Sequence, residues 1–250
     1  MTADPIRLFI GSSSNGEDYD AEVAYVHSLR KNLSPDRELK ITWMRQTHDI
    51  SSAWHGWATT NWSTPFSGFR WAIPEVCSFQ GRAIYTDVDM INYRDISELA
   101  DVDLNGKPFA ARRGLRFGGH EFCVMVIDCK AAQFLIPPVS RAKLFPEFHH
   151  RMIAAFSGND EYVEELDPRW NCLDGENLDL KDVWQLHFTN MATQPWKPSW
   201  YTGETKEHPR PDVVRAWHDA VAESYDVRES AKFRESLVYH EPVAYNIIGR

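Results

Sequence analysis

The sequence has no long apolar run. Its longest uninterrupted apolar stretch, residues 122–127, covers about six residues, whereas a helix that crosses a bilayer needs roughly 20. The chain begins Met1-Thr-Ala-Asp-Pro5 and passes directly into a strand-like run, with no basic segment followed by an apolar one. A secretory signal is therefore not expected. These absences predict a cytoplasmic protein without a transmembrane segment.

Cysteine and positive charge are also scarce. The four cysteines among 250 residues include no C-x-x-C pair, which argues against structural zinc and against a disulfide framework. The formal net charge is −9 and both signs are mixed along the chain, which argues against nucleic acid as the partner. Hydrophobic residues make up 43% of the sequence, enough to bury the core of one domain of ordinary size.

Strand-like and helix-like segments alternate along the chain, and no repeat, low-complexity tract or linker divides it. Strands are predicted at 6–10, 39–44, in a run ending at Asp87, at 109–112, 122–129 and 184–188. Helices are predicted from 18 or 20 to 33 with an aspartate cap, at 66–79 with Pro74 ending or kinking it, at 95–100, around 139–156 and from 210 onward. This pattern predicts an α/β domain with a C-terminal helical extension.

The most informative short motif is Asp87-Val-Asp89, which closes a predicted strand. Alternate strand residues share a face, so both carboxylates can leave the sheet together where the strand ends. They repel each other unless a cation lies between them. Hard divalent ions such as Mg2+ and Mn2+ take carboxylate oxygens and keep positions for phosphate oxygens. The first hypothesis is therefore a metal ion bound to a diphosphate, and the alternative is a solvated strand end or turn.

Three polar segments follow predicted strands: the turn Gly11–Asn15, the Asp87 and Asp89 strand end, and the segment after His187. Ligands of open α/β sheets gather at the carboxyl ends of the strands. We therefore expect these three segments to form one site.

Several motifs resemble glycosyltransferase family eight and its bacterial relatives. The first group is Phe66-Ser-Gly-Phe-Arg-Trp-Ala-Ile-Pro74, then Gly81-Arg-Ala-Ile-Tyr-Thr-Asp-Val-Asp-Met90 and Asp95-Ile-Ser-Glu-Leu99. A later segment, Leu186-His-Phe-Thr-Asn-Met-Ala-Thr-Gln-Pro-Trp196, is similar to the family's His-Phe-x-Gly-x-x-Lys-Pro-Trp. Between them, Phe122–Cys129 resembles the buried strand and Asp167-Pro-Arg-Trp-Asn-Cys172 resembles the Leu-Pro-x-x-Trp-Asn stretch. The motifs follow the family's order between residues 6 and 200.

The resemblance implies a GT-A fold, a Rossmann-like nucleotide-diphospho-sugar transferase domain with a mixed central sheet. It would cover residues 1–203, with 204–250 as a helical extension packed on the same domain. The implied activity is that of a hexosyltransferase. It moves a sugar from a nucleotide-diphosphate sugar, with a UDP-sugar favoured over a GDP-sugar, to a saccharide or other hydroxyl acceptor. In the family both motif aspartates and the later histidine hold Mn2+ or Mg2+, so Asp87, Asp89 and His187 become the metal set.

The resemblance also implies donor-binding roles around the metal set. Arg70 matches an arginine that helps to bind the donor, and the turn after the first strand occupies the place where the base and ribose are held. The implied donor-binding residues are Gly11, Ser12, Ser13, Arg70, Thr86, Asp87, Val88, Gln194, Trp196 and Lys197.

Asp160 and Glu161 stand where the family has an Asp-Gln pair, which makes them the implied catalytic residues, with Asp160 beside the donor sugar. The family also implies retention of the anomeric configuration. Retention uses either a carboxylate nucleophile or a same-face attack assisted by the leaving phosphate, and the sequence does not choose between them. As an alternative, the two residues are an acidic helix start favoured by the helix dipole.

Two departures from the family pattern keep other functions open. Gln194 replaces a lysine that contacts the diphosphate, and Glu121-Phe122-Cys123 replaces Asn-Ser-Gly before the buried strand. One alternative is therefore a catalytically silent carbohydrate- or nucleotide-binding protein of the same fold. Another is an unrelated metal-dependent phosphohydrolase that uses the same aspartates.

Two further segments carry open interpretations. Trp54, Trp57 and Trp62 lie in the polar stretch 46–65 and either stack on an acceptor sugar or anchor this loop by packing. The apolar terminal segment 236–248 is expected to dock on the domain. Pairing in a homodimer and peripheral contact with a membrane are its alternatives.

Overall fold

The computed structural model describes residues 4–114, 118–197 and 201–227. The strands are β1 Ile6–Gly11, β2 Leu39–Met44, β3 Arg82–Asp87, β4 Met90–Asn92, β5 Phe109–Arg113, β6 His120–Asp128, β7 Val163–Glu165, β8 Cys172–Leu173 and β9 Gln185–His187. The α-helices are α1 Tyr19–Asn32, α2 Ile73–Val76, α3 Ile96–Ala100, α4 Val139–Ala142, α5 Phe148–Phe156 and α6 Pro211–Val227. Short 3-10 segments cover Ser67–Ala72, Pro168–Asn171 and Leu180–Asp182.

The main sheet within these ranges has six strands in the order β2-β1-β3-β6-β5-β7. β1 runs parallel to β2 and β3, β6 runs antiparallel to β3 and β5, and β7 runs parallel to β5. The predicted mixed sheet of an α/β fold is thus confirmed. The last residues of β1 and β3, Gly11 and Asp87, are paired in register, so both chains leave the sheet at the same edge.

A second, three-stranded sheet has the order β4-β9-β8. β4 follows β3 after two residues and pairs antiparallel with β9, which places Met90 opposite His187. The backbone N–H of Phe188 donates to the Asp89 carbonyl at 2.9 Å, which extends this pairing by one bond. The second sheet therefore holds a segment from late in the chain beside the end of β3.

Both faces of the main sheet are buried. Along β1, Leu8 and Ile10 enter one core with the apolar side of α1, whereas Phe9 points to a second, largely aromatic core. The same alternation occurs in β3, where Ile84 and Tyr85 enter opposite cores. Strands that are covered on both faces have nearly continuous apolar sequences, and this pattern is why the central strands could be predicted from the sequence.

Two predicted helices are wrong in their extent, and both contain proline. The segment predicted as one helix at 66–79 is a 3-10 segment followed by α2, whose first turn contains Pro74. Proline lacks an N–H and clashes with the preceding turn, so it is tolerated where a helix starts and not inside one. Likewise α4 and α5 are separate helices, and Pro146 lies between them.

The tryptophans of the loop at 46–65 are packing residues. Trp54, Trp57 and Trp62 are 7%, 8% and 9% exposed, and each contacts the Phe69 ring with centroids 5.4–5.6 Å apart. Gly68 makes room for one of them, because a Cβ at that position would lie 2.3 Å from the Trp62 ring. Rings buried to this extent offer little surface to a sugar, which corrects the stacking alternative.

Helix α6 packs on the domain. Val213 and Trp217 are buried in the same core as α1, and Glu223 contacts Lys31 at 2.7 Å and His27 at 3.3 Å. The terminal segment 236–248 lies outside the described residues. None of the helices in the described part of the chain has the length and apolar character needed to cross a membrane.

Asp95 caps α3 and fixes the chain that follows α1. Its Oδ1 accepts a hydrogen bond from the Ser97 N–H at 2.9 Å, and its Oδ2 accepts from the Ser34 N–H at 3.2 Å and from the Ser34 hydroxyl. Partial burial raises the pKa of Asp95, but these hydrogen bonds outweigh it and hold the pKa below the ordinary value of 3.8.

We predict that Asp95→Ala lowers the free energy of unfolding by about 1–2 kcal/mol at neutral pH, the usual cost of losing a helix cap. Because the folded-state pKa is depressed, this contribution is present above pH 3.8 and is lost as the pH falls through the folded-state pKa. Urea unfolding of both proteins, from neutral pH to below 3.8, checks the prediction. Asp95→Asn, which keeps a cap acceptor, is the control. A difference between wild type and Asp95→Ala that does not shrink with falling pH contradicts it.

Candidate functional site

The three polar segments that follow strands come together at one edge of the main sheet. β1 ends at Gly11 beside Asp87, the last residue of β3. Asp89 lies between β3 and β4, and the pairing of β4 with β9 brings His187 to it. The His187 Nε2 atom is 3.2 Å from Asp89 Oδ1. The structure thus brings together the predicted metal residues Asp87, Asp89 and His187.

Asp87 is held by a buried arginine. Arg70 Nη2 donates to Asp87 Oδ1 at 3.2 Å, and the Tyr85 hydroxyl donates to the same oxygen. The remaining Arg70 donors are used by the backbone: Nε binds the Ser67 carbonyl at 2.7 Å and Nη1 binds the Phe122 carbonyl. The guanidinium also lies 4.2 Å from the centre of the Tyr85 ring. These contacts make Arg70 a positioning residue for Asp87, and direct contact with a donor stays a prediction.

The charges around Asp87 shift the titration of its neighbours. Burial raises the pKa of Tyr85 well above its usual range, and the nearby Asp87 carboxylate adds to the effect although Arg70 opposes it. Tyr85 therefore stays a neutral hydrogen-bond donor to Asp87.

In the pair of Asp89 and His187, the histidine is buried and the Asp89 side chain is 25% exposed. Although His187 Nε2 and Asp89 Oδ1 are 3.2 Å apart, their contact lacks hydrogen-bond geometry, and Oδ1 has no hydrogen-bond partner in the described ranges. The other ring nitrogen of His187, Nδ1, lies 2.8 Å from Asn171 Oδ1. An acceptor on Nδ1 fixes the proton there and leaves the Nε2 lone pair for a metal ion.

Both members of this pair bind a proton more tightly than free side chains do. Burial raises the pKa of Asp89, although His187 lowers it in part. For His187, burial lowers the pKa, but the Asp89 and Asp87 carboxylates outweigh it and raise the pKa above its usual value. The Asp89 shift thus comes mainly from burial, and the His187 shift comes from the carboxylates around it.

Cys123 completes the cluster, and the sequence did not assign it a role. A carboxylate oxygen of Asp87, the Cys123 sulfur and a ring nitrogen of His187 all lie within 4.8 Å of one another. β6 runs antiparallel to β3 with Thr86 opposite Val124, so the next residues along the two strands are Asp87 and Cys123. Burial and the Asp87 carboxylate raise the pKa of the Cys123 thiol well above its usual range. Carboxylate, imidazole and thiol groups that converge in this way fit a divalent metal ion.

Asn171 was also missed, although its sequence context gave a signal. It ends the stretch Asp167-Pro-Arg-Trp-Asn, which resembles a family motif, but its role as the partner of His187 requires the tertiary fold.

The turn after β1 is tightly built. A Cβ at Gly11 would lie 2.4 Å from the Phe66 ring and 3.0 Å from the Tyr85 hydroxyl, so only glycine fits. The Ser12 hydroxyl donates to the Glu22 carboxylate, and the Ser13 N–H donates to Asp18 Oδ2 at 2.9 Å.

These contacts correct the predicted helix cap. Asp18 is the N-cap residue of α1, but its side chain makes no capping bond to the helix and binds the turn after β1 instead. Glu22, fully buried, also contacts Arg45 at 2.6 Å. The side chains at the start of α1 therefore hold the Gly11 to Ser13 turn in place.

The other implied donor-binding residues lie in two segments. Thr86 and Val88 are buried around Asp87. Gln194 is buried and its Nε2 donates to the Phe188 carbonyl at 3.0 Å, while Lys197 Nζ donates to the Gln194 carbonyl. Trp196 stacks on Trp217 of α6 with ring centroids 3.9 Å apart. These contacts show how the fold uses the side chains, and their contact with a donor stays a prediction.

Asp160 and Glu161 are exposed beside Arg113 and His120, the paired ends of β5 and β6, which lie at the same edge of the main sheet as Asp87. Asp160 Oδ1 contacts Arg113 at 2.6 Å and lies 3.8 Å from His120 Nε2. The bond from Arg113 lowers the pKa of Asp160, which keeps this carboxylate ionised. The Asp160 side chain is 67% exposed, so it is open to a ligand from solvent. Its catalytic role, and that of Glu161, stay predictions.

Comparison of sequences finds no relative: no model of a known protein family and no curated protein sequence matches the chain. Comparison of structures finds similar proteins. The glycosyltransferase GlyE of Streptococcus pneumoniae has a TM-score of 0.59 at 16% identity, over 88% of this chain and 64% of GlyE. The galactosyltransferase LgtC, solved with donor and acceptor sugar analogues, has a TM-score of 0.60 at 14% identity, over 93% of this chain and all of LgtC.

The bifunctional glycosyltransferase WbbM has a TM-score of 0.57 at 13% identity, over 95% of this chain and 52% of WbbM. This chain therefore spans less than two thirds of the length of GlyE and of WbbM. At such low identities the likeness establishes the architecture of the chain. The chain has the GT-A glycosyltransferase fold that its sequence motifs implied.

Proposed function

We propose that the protein is a metal-dependent glycosyltransferase that moves a sugar from a nucleotide-diphosphate sugar to a hydroxyl group of a saccharide or another acceptor. The observation that carries the proposal is the convergence of Asp87, Asp89 and His187 at the carboxyl edge of a GT-A sheet. This edge is where ligands of α/β sheets bind.

Asp87, Asp89 and His187 would hold Mn2+ or Mg2+. When bound, the ion supplies positive charge to the departing nucleotide diphosphate. Arg70 would position Asp87 for the ion, since its guanidinium is buried and donates a hydrogen bond to the partly buried carboxylate. Asn171 orients the His187 ring through Nδ1. Preorganised groups of this kind need no rearrangement when charge develops on the leaving group.

The donor would lie across the carboxyl ends of β1 and β3. The turn from Gly11 to Ser13 is proposed to hold the base and ribose, with Thr86 and Val88 beside them. Gln194, Trp196 and Lys197 are proposed to flank the diphosphate from the segment after β9. A UDP-sugar is favoured, with a GDP-sugar as the second choice. The solved complex of LgtC with donor and acceptor sugar analogues supports a fold of this kind binding both substrates.

The transfer breaks the bond between the anomeric carbon and the diphosphate and forms a bond from that carbon to an acceptor oxygen, which loses its proton. We propose that the configuration is retained and that Asp160, with Glu161 beside it, acts next to the donor sugar. The low pKa of Asp160 suits a carboxylate that stabilises positive charge on the sugar ring. We further propose that the reaction takes place in the cytoplasm.

A thermal-shift screen of UDP-, GDP- and ADP-sugars with Mn2+ tests the proposal. A ligand that binds only the native state stabilises it by mass action and so raises the melting temperature. At a ligand concentration a hundredfold above Kd, the free energy of unfolding rises by about 2.7 kcal/mol. We predict a Mn2+-dependent shift with one class of donor and its loss in Asp89→Ala, because one carboxylate ligand is removed. Asp36→Ala removes an exposed aspartate of a surface turn and is the matched control.

The outcomes of this screen separate the proposed function from its alternatives. Donor binding together with release of nucleoside diphosphate supports a transferase. Donor binding without any release, across a range of acceptors, indicates a silent binding protein. Release of free phosphate from simple phosphoesters indicates a phosphohydrolase. If Asp89→Ala is unfolded, the aspartate is structural and the proposal loses its main support.

We predict that Asn171→Ala weakens Mn2+ binding about 10- to 100-fold, the usual effect of removing the partner of a metal-bound histidine. The physical reason is that His187 loses the acceptor that fixes its tautomer and ring orientation. Isothermal titration with Mn2+ measures the change. Asn171→Asp keeps an acceptor on Nδ1 and is expected to retain most of the affinity, and the exposed Asn61→Ala is the control. Equal affinities in Asn171→Ala and wild type would show that His187 is not a ligand.

A further inference from the structure

The candidate metal site contains a thiol that the proposed function does not use. The Cys123 sulfur lies within 4.8 Å of ligand atoms of both Asp87 and His187. It reaches this position because β6 runs antiparallel to β3, which sets Cys123 beside the last residue of β3. Arg70 is also near, since its Nη1 donates to the carbonyl of Phe122, the residue before Cys123.

We propose that Cys123 is a further protein ligand of the ion held by Asp87, Asp89 and His187, and that it shifts the preference of the site toward ions that accept sulfur. This rests on the proposed function, because it concerns the same ion. The chemical reason is ligand softness. Carboxylates suit Mg2+ and Mn2+, imidazole suits Zn2+ and Co2+, and a thiolate favours Zn2+, Co2+ and Cd2+ over Mg2+.

The side chains at this place are of the types that bind Zn2+, Co2+ and Cd2+. Zinc sites draw their protein ligands from cysteine, histidine and carboxylate side chains, the three types present here. Here His187 has the support that metal-bound histidines need, since Asn171 occupies its other nitrogen. A coordinating thiol loses its proton, which passes to solvent.

A structural role for Cys123 is the competing explanation, and it makes a different prediction. A thiol that only donates a hydrogen bond to Asp87 is replaced well by serine, which keeps a donor at this position. Serine is a poor replacement for a thiol that binds the ion, because a neutral hydroxyl is a much weaker ligand than a thiolate. Cys123→Ser therefore separates the two roles.

Cobalt spectroscopy tests the proposal directly. The parent protein carries Cys77→Ser, because Cys77 and Cys129 are close enough for each to shift the pKa of the other thiol and would form a second place for a sulfur-seeking ion. We predict that Co2+ gives this parent a sulfur-to-metal charge-transfer band in the near ultraviolet, and that the band is absent after adding Cys123→Ser. The visible bands of bound Co2+ are expected to remain in both proteins, since Asp87, Asp89 and His187 are retained.

Titration with two ions supplies the second measurement. We predict that Cys123→Ser weakens Cd2+ binding on the order of tenfold or more, whereas Mn2+ binding changes less. Visible Co2+ bands without a charge-transfer band in the parent, or an equal loss of Cd2+ and Mn2+ affinity, would overturn the proposal while leaving the proposed function intact. Absence of all Co2+ bands, together with absence of a Mn2+-dependent donor shift, would overturn both.

Discussion

The ion pair between the buried Arg70 and the partly buried Asp87 is the interaction on which the candidate site depends. A carboxylate at the end of an interior strand loses hydration, and a second carboxylate, Asp89, follows it closely. Arg70 compensates this charge while its other donors bind two backbone carbonyls. Removing one partner would leave the other charge uncompensated, and because Asp87 is 14% exposed the cost is below the ~3–5 kcal/mol of a fully buried pair. One cation therefore joins the 3-10 segment, β3 and β6 and fixes the acidic edge of the sheet.

Pairing of strands that are distant in sequence brings the other side chains of the candidate site to the two aspartates. The second sheet carries His187 to Asp89, and the antiparallel pairing of β6 with β3 carries Cys123 to Asp87. Neither group approaches the aspartates through local structure. The positions of both groups are consequently set by backbone pairing within the two sheets.

Several residues that the family resemblance assigned to the donor also hold the fold together. Ser12 binds Glu22, Trp196 stacks on Trp217, and Lys197 donates to a backbone carbonyl. For these residues the structure shows the packing role, and contact with a donor stays a prediction. A short motif in the sequence therefore marks where the site lies more reliably than it marks which atom contacts the ligand.

The sequence by itself determined the local features: the α/β class, the near-exact bounds of β1, β2 and α1, and the two aspartates at a strand end. These follow from alternation, helical period and turn residues, which act within a few positions. The tertiary structure alone decided that Cys123 and Asn171 lie beside His187 at the candidate site and that the loop tryptophans are core. Which strands become neighbours, and which ring is buried, depends on contacts between distant parts of the chain that no local pattern encodes.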